Sequence, residues 1–278
     1  MKITPLRSSR SPGFSRVRGA VNAGEPLSLG RALLARGGWS VVEASTRLEP
    51  GPFADLLGEL ARDRCVHSWK NLARPELSAL VESEASLRPT TLFGYWGHRP
   101  GAKPELLAAA AIADRVRASF SHEGFPVLAR CYIRPRFRRL GLYAHFLDHR
   151  LEVCQRVWGA SLRAVHLGSS DPRVWSCVDR LPQQRGRFVP VGFERLKSGT
   201  RLRRVRDFLY FTDGYAAALR GAATVPGLKT AVERLLSGRG GERGYEQLLA
   251  AVEEAPGARP GTPLSRLLDF FAAVPLAR

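Results

Sequence analysis

"CYIRPRFRRLGLYAHFLDHRL" (131–151) is the stretch on which the fold turns. Its first residues alternate like a strand, a proline follows, four arginines (Arg134, Arg136, Arg138, Arg139) fall within six positions, and a glycine opens a helical pattern. Two readings stand at this point: a solvated basic turn, or a cradle for phosphates. The second has a physical basis, because the first turn of a helix carries unpaired N–H groups and the positive end of a dipole. Gly141 also lets an anion approach the backbone closely.

Downstream, Leu147, Leu151, Cys154 and Trp158 recur at one-face helical spacing and form a buried stripe. His145, His149, Glu152 and Arg156 share the same spacing on another face, read as charged and solvent-facing. Two histidines four apart can bind a metal, but no third ligand accompanies them, so no metal site is expected.

Upstream, residues 39–45 alternate as a strand, 52–65 and 75–87 carry helical spacing, and 90–98, 105–120 and 124–135 read as consecutive antiparallel strands. The alanine run at 108–111 opposes this, since alanine favours helix. Beyond the opening stretch come a strand over 162–170 and a helix over 171–181, begun by Asp171 as N-cap and Pro172 in the first turn. A hairpin follows, from 186–196 and 204–212. Residues 1–38 are basic and rich in Ser, Gly and Pro, expected as a flexible arm with at most one short helix near 27–34. Residues 214–278 read as a helical appendage of three or four short amphipathic helices.

The 278 residues carry a net charge of +18, with 44% apolar content, which excludes a disordered chain and favours anionic partners. No window reaches the roughly 18 apolar residues of a membrane span. No apolar signal-like run follows the N-terminal charges, and the four cysteines form no C-x-x-C pair, so a reducing cytoplasm is the expected compartment.

The element order from 39 to 213 resembles the GNAT family of acyl-coenzyme-A-dependent N-acyltransferases. In that family a strand ending in V-x-P is followed by [RQ]-x-x-G-x-[GA] at the next helix. Ile133-Arg134-Pro135 stands for the strand end, and Arg138-Arg139-Leu140-Gly141-Leu142-Tyr143 for the loop. The "VGF" at 191–193 matches a Gly-Phe pair common in the family. Tyr143 departs from the pattern, because the family has Gly or Ala there, and such a ring either crowds the phosphates or points away.

The resemblance implies an α/β (α+β) fold: a mixed, mostly antiparallel twisted sheet flanked by helices, with the C-terminal helices appended. It implies acetyl-CoA or another acyl-CoA as co-substrate, bound by Ile133, Arg138, Arg139, Leu140, Gly141, Leu142 and Tyr143. Pantetheine would lie between the strand ending at Ile133 and the strand at 162–170, and the acyl group would pass directly to an amine acceptor. A backbone N–H near Ile133 would steady the oxyanion.

The family's usual tyrosine acid has no counterpart in 171–181. The candidate proton carriers are therefore His166, Tyr132 and Cys177, each with an ordinary core role as its alternative. A second basic cluster, 194–208, and the basic arm suit an acidic macromolecular acceptor. A non-catalytic nucleic-acid-binding protein on the same scaffold is the rival expectation.

Overall fold

The computed structural model describes residues 20–21, 24–63, 90–113, 125–169, 171–180, 186–198, 201–223, 226–237, 241–253 and 270–274. The helix expected over 75–87 lies outside these residues. The chain divides into two compact units, Met1–Ala118 with Leu128–Val157, and Ser119–Val127 with Trp158–Arg278.

The first unit contains β1 (Glu25–Pro26), α1 (Arg31–Gly37), β2 (Val41–Ser45), α2 (Pro50–Arg62), β3 (Thr90–His98), β4 (Glu105–Ala113), β5 (Val127–Ile133, from Leu128 on) and α3 (Leu142–Trp158, up to Val157). Its strands follow the order β1-β2-β3-β4-β5, with β1 to β4 antiparallel in turn. Where composition suggests a loose arm, Glu25 pairs with Ala44, and the Leu27 N–H donates to the Val42 carbonyl at 2.7 Å. The short helix expected near 27–34 begins at Arg31.

α2 forms because Pro50 suits a helix start and Phe53, Leu56, Leu57 and Leu60 fall on one stripe. All four are buried, against Trp96, Leu106, Ala109 and Tyr132. Burying each of the leucines contributes about 1.5–3 kcal/mol. On β4, Ala108 to Ala111 are strand and fully buried. Burial on both faces of an inner strand outweighs alanine's helical preference of a few tenths of a kcal/mol per residue, roughly.

One irregularity in β4 positions the loop after β5. Tyr95 pairs with Ala108 and Trp96 with Leu106, so Leu107 is an extra residue in the ladder. Its carbonyl accepts the Arg134 N–H at 3.0 Å, and the Leu106 carbonyl accepts from Arg134 Nη1 at 3.4 Å. The end of β5 is thereby pinned at the bulge.

In α3 the stripe Leu147, Leu151, Cys154 is buried as its spacing indicates. His149, however, is not on a solvent-facing stripe. It is 5% exposed, with Nδ1 3.2 Å from the Tyr95 hydroxyl and the ring edge-on to Phe93. The helix buries a second face, because Tyr95 stacks on Phe146 at 3.9 Å on the side of the sheet away from α2.

The second unit contains β6 (Ala164–Ser169), α4 (Pro172–Arg180), β7 (Gly186–Ser198), β8 (Arg201–Thr212), α5 (Asp213–Ala222), α6 (Pro226–Leu236) and α7 (Gly241–Glu253). β8 lies between β6 and β7 and is antiparallel to both. Val127, the residue that opens β5, runs parallel to β6 opposite His166. Asp171 caps α4 as expected, its carboxylate accepting the Arg173 N–H at 2.9 Å. Thr212 caps α5 through the Tyr215 N–H.

The C-terminal helices belong to this same unit. α6 and α7 pack on each other and on β7. A last helical turn at 270–273 is fastened from within: Arg163 Nη1 donates to the carbonyls of Phe271 (3.2 Å) and Ala272 (2.8 Å), and the Tyr215 hydroxyl donates to that of Phe271. Phe271 itself is fully buried against Phe211. No helix of the described residues is long and apolar enough to cross a membrane.

Candidate functional site

Between β5 and α3 the backbone makes one 3-10 turn, Pro135–Phe137, and then two left-handed residues, Arg139 (φ 66°) and Gly141 (φ 85°). Phe137 is buried edge-on to Trp39 at 5.7 Å, and Leu142 is 1% exposed, so both ends of the loop are anchored while its middle faces outward. A Cβ at Gly141 would meet nothing within 4 Å. Glycine is needed there for its dihedral, and the space it faces is open. The first-turn N–H groups of α3 have no acceptor one turn earlier in the helix, as at any helix start. This open, donor-rich corner fits an anion such as a pyrophosphate.

The arginines are not equivalent. Arg134 is 8% exposed; its Nε donates to Glu59 at 2.9 Å and Nη2 to the other oxygen of the same carboxylate. That pairing holds the Glu59 carboxyl below its ordinary pKa, while partial burial opposes the shift. Arg136 meets Glu105 at 2.6 Å. Arg138 pairs with Asp63 and donates through Nε to the Ile133 carbonyl at 2.9 Å. Arg139 is exposed and has no partner among the described residues. Three of the four charges are thus answered within the first unit, and one is presented outward.

Tyr132 shares the α2 side of the strand with Arg134. Its hydroxyl faces the Asp63 carboxylate at 3.4 Å, Arg138 lies 5.1 Å above its ring, and burial pushes its pKa up to about 12. Strand alternation sends Cys131 and Ile133 to the other side. Tyr143, the departure from the family pattern, has its ring 6.0 Å from the guanidinium carbon of Arg150, two turns further along α3.

Arg150 is 0% exposed. Its Nε donates to the Phe146 carbonyl at 3.2 Å, and its Nη1 and Nη2 are buried without a hydrogen-bond partner. Cys131, Tyr143, Tyr95, His149 and Cys154 are close enough to feel its charge, with the Tyr143 hydroxyl approaching it most directly.

In the second unit His166 is buried on β6 with Nε2 2.7 Å from Asp207 Oδ1 on β8. A carboxylate only accepts, so Nε2 carries a proton, and Nδ1 is buried without a hydrogen-bond partner. The two are diagonal neighbours, since Asp207 is registered with Gly168 and His166 with Leu209. Gly168 makes this possible: a Cβ there would lie 2.8 Å from Asp207 Oδ1. Cys177 is partly exposed on α4.

Of the residues singled out in the sequence, the structure brings Tyr132, Ile133 and Arg138 into mutual contact, with Arg139 to Tyr143 following. His166 and Cys177 belong to the second unit. Glu59, Asp63, Glu105, Arg150 and Asp207 were not foreseen. Glu59 and Asp63 do carry a signal, two acids four apart, one on α2 beside its apolar stripe and one at its C-cap. So does Asp207, a lone acid entering the apolar run of β8.

No protein-family model and no curated protein matches the chain. Solved structures similar to it include a probable GNAT-family acetyltransferase from Chromobacterium violaceum, with TM-score 0.46, 16% identity, and coverage of 77% of this chain and 96% of that one. Another is a ribosomal L7/L12 alpha-N-protein acetyltransferase in complex with coenzyme A, at 0.46, 8%, 63% and 97%. A third is the spermidine N-acetyltransferase of Vibrio cholerae in complex with CoA and spermine, at 0.41, 12%, 63% and 97%.

Proposed function

From a GNAT-like fold as premise, we propose that the chain is an acyl-CoA-dependent N-acyltransferase, with acetyl as the simplest acyl group and an amine-bearing acceptor. The observation that carries this reading is the corner at Arg139, Gly141 and the first turn of α3: left-handed backbone, open space, a helix N-terminus and one exposed guanidinium. These groups are suited to hold the donor's pyrophosphate. A bound thioester supplies an activated acyl group, which an amine takes with loss of the thiol.

The remaining work falls to residues that place the loop and carry protons. Arg134, clamped by Glu59 and the β4 bulge, fixes the end of β5. Among His166, Tyr132 and Cys177, His166 is the one whose ring is oriented through one nitrogen, with the other left without a partner. Tyr132 is engaged with Asp63, and its high pKa suits an acid more than a base. The basic stretch 194–208 remains a proposed acceptor surface; its side chains as far as Arg204 lie outside the described residues, as do residues 1–19 of the arm.

The test is thermal unfolding with acetyl-CoA. A ligand at 100 times its Kd stabilises by about 2.7 kcal/mol, which is a rise of several degrees. Gly141→Glu, which puts a carboxylate into the open corner, should abolish the rise. No shift at millimolar donor, and no thiol release with a panel of amines, refutes the proposal.

A further inference from the structure

Arg150 poses a problem that the fold by itself leaves open. A guanidinium does not lose its proton in a protein, so burial cannot neutralise it as it would a lysine. Buried charges are found paired, because an uncompensated one carries a large desolvation penalty. Yet Arg150 is 0% exposed, and both terminal nitrogens lack an acceptor.

The Tyr143 hydroxyl approaches Arg150 without closing a full hydrogen bond to either terminal nitrogen, and it brings no counter-charge. The other surrounding groups do not answer the charge either. Nε is satisfied by the helix's own Phe146 carbonyl, which also accepts from the Tyr95 hydroxyl at 3.1 Å. Cys131 and Cys154 are thiols that burial keeps protonated, their pKa values raised. Glu25, the carboxylate nearest this network, is engaged at 2.7 Å by Arg156 and lies beside His149. Among the described residues no carboxylate pairs with Arg150.

We propose that Arg150 is the anchor of a carboxylate-binding site, lined by Tyr143, Tyr95 and Cys131, and that on the acyltransferase reading its ligand is the free carboxylate of a dicarboxylic acyl group carried by the CoA donor. Two features favour a ligand over an internal ion. Tyr143, at the start of α3, is partly exposed, so the cluster lies nearest the surface on the side of the loop, while the Cys131 thiol is enclosed. Both also belong to the segment that the donor reading uses: Cys131 is two residues before Ile133 on the same side of β5, and Tyr143 follows the loop. The planar fork of an arginine matches a carboxylate in two parallel bonds. The same observation gives Tyr143 a purpose: a ring at this position lines the Arg150 site, where a small residue would leave it open.

The inference rests on the acyltransferase reading for the source of the carboxylate, and not for the site itself, so two probes separate them. Succinyl-CoA and malonyl-CoA are compared with acetyl-CoA by calorimetry on the wild-type chain, and free succinate and malonate are compared with chloride by thermal shift. A charge-assisted pair gives the dicarboxylic donors roughly 10-fold to 100-fold lower Kd than acetyl-CoA. In Arg150→Met that ratio should fall to about one, and in Arg150→Lys it should be reduced but retained.

Equal affinities for the three donors, with no stabilisation by free dicarboxylates, overturn the inference while leaving the acyltransferase reading in place. Stabilisation by succinate that is lost in Arg150→Met, with no CoA thioester bound, supports the site and refutes the acyltransferase reading. The wild-type comparison decides the matter even if the variants do not fold.

Discussion

Replacing Glu59 by alanine strips the carboxylate from a guanidinium that water hardly reaches. The Arg134 side chain is 10% exposed, and after the change it keeps only the Leu106 carbonyl at 3.4 Å. Breaking a buried pair by removing one partner costs about 3–5 kcal/mol. The Glu59 side chain is 25% exposed, so water refills part of the site, and the expected loss is about 2–3 kcal/mol. For a chain of this size that lowers the melting temperature by about 3–5 °C. Trp96 packs in the same cluster as α2, so its fluorescence in a urea titration reads the change locally.

The double variant Glu59→Leu with Arg134→Met should recover most of the loss, because an apolar pair of similar volume needs no solvation. The pH dependence has a definite sign. The folded-state pKa of Glu59 is depressed below 4.5, chiefly by the Arg134 hydrogen bonds. Its contribution is therefore full above the unfolded value and fades as pH falls through the folded one. The gap between wild type and Glu59→Gln should close in acid. A loss under about 0.5 kcal/mol for Glu59→Ala, the size of an ordinary surface change, or a gap constant to pH 3, refutes the clamp.

Gly168→Ala drives a methyl into Asp207 and should cost about 1–3 kcal/mol in urea melts, with loss of the downfield His166 Nε2–H signal by NMR; an unchanged signal contradicts the geometry. His149, whose pKa burial lowers to about 4, should stay neutral at pH 5 in an imidazole titration. Its folded value lies below the unfolded 6.5, so it makes the fold less stable as pH drops from 6.5 towards 4 and adds no further loss below. Arg163→Met frees the carbonyls of Phe271 and Ala272 and should speed amide exchange over 270–274, at a cost of about 1–3 kcal/mol; exchange at the wild-type rate speaks against that fastening.

Periodicity made α2, α3 and the strand order legible, because apolar spacing is a direct image of which face is buried. Two failures on α3 share one cause. His149 and Arg150 look like surface residues beside a single stripe, but the helix is buried on two faces, and the second is lined by Tyr95 and Phe93 from β3, more than 50 residues away. No local pattern reports such a partner. Which arginine each of the acids beside Arg134, Arg136 and Arg138 answers was hidden for the same reason. Glu59 lies on α2, Asp63 just past its end and Glu105 opens β4, while the bulge at Leu107 holds the strand end among them. For His166, register supplied what spacing lacked, since Asp207 is its neighbour only once β6 and β8 are aligned.

The distribution of partners around the four arginines has a bearing on how the loop should respond to ionic strength. Four bare guanidiniums would hold a polyphosphate by long-range attraction, and counterions would weaken that hold steeply as they accumulate. With three of them already matched by Glu59, Glu105 and Asp63, only Arg139 contributes a field that salt can screen within a Debye length of about 8 Å at physiological strength. The rest of the grip would come from N–H groups fixed by the backbone, whose directionality salt does not alter. A donor site of this kind trades reach for tolerance: it draws its ligand from a shorter distance, and keeps it as the surrounding electrolyte changes.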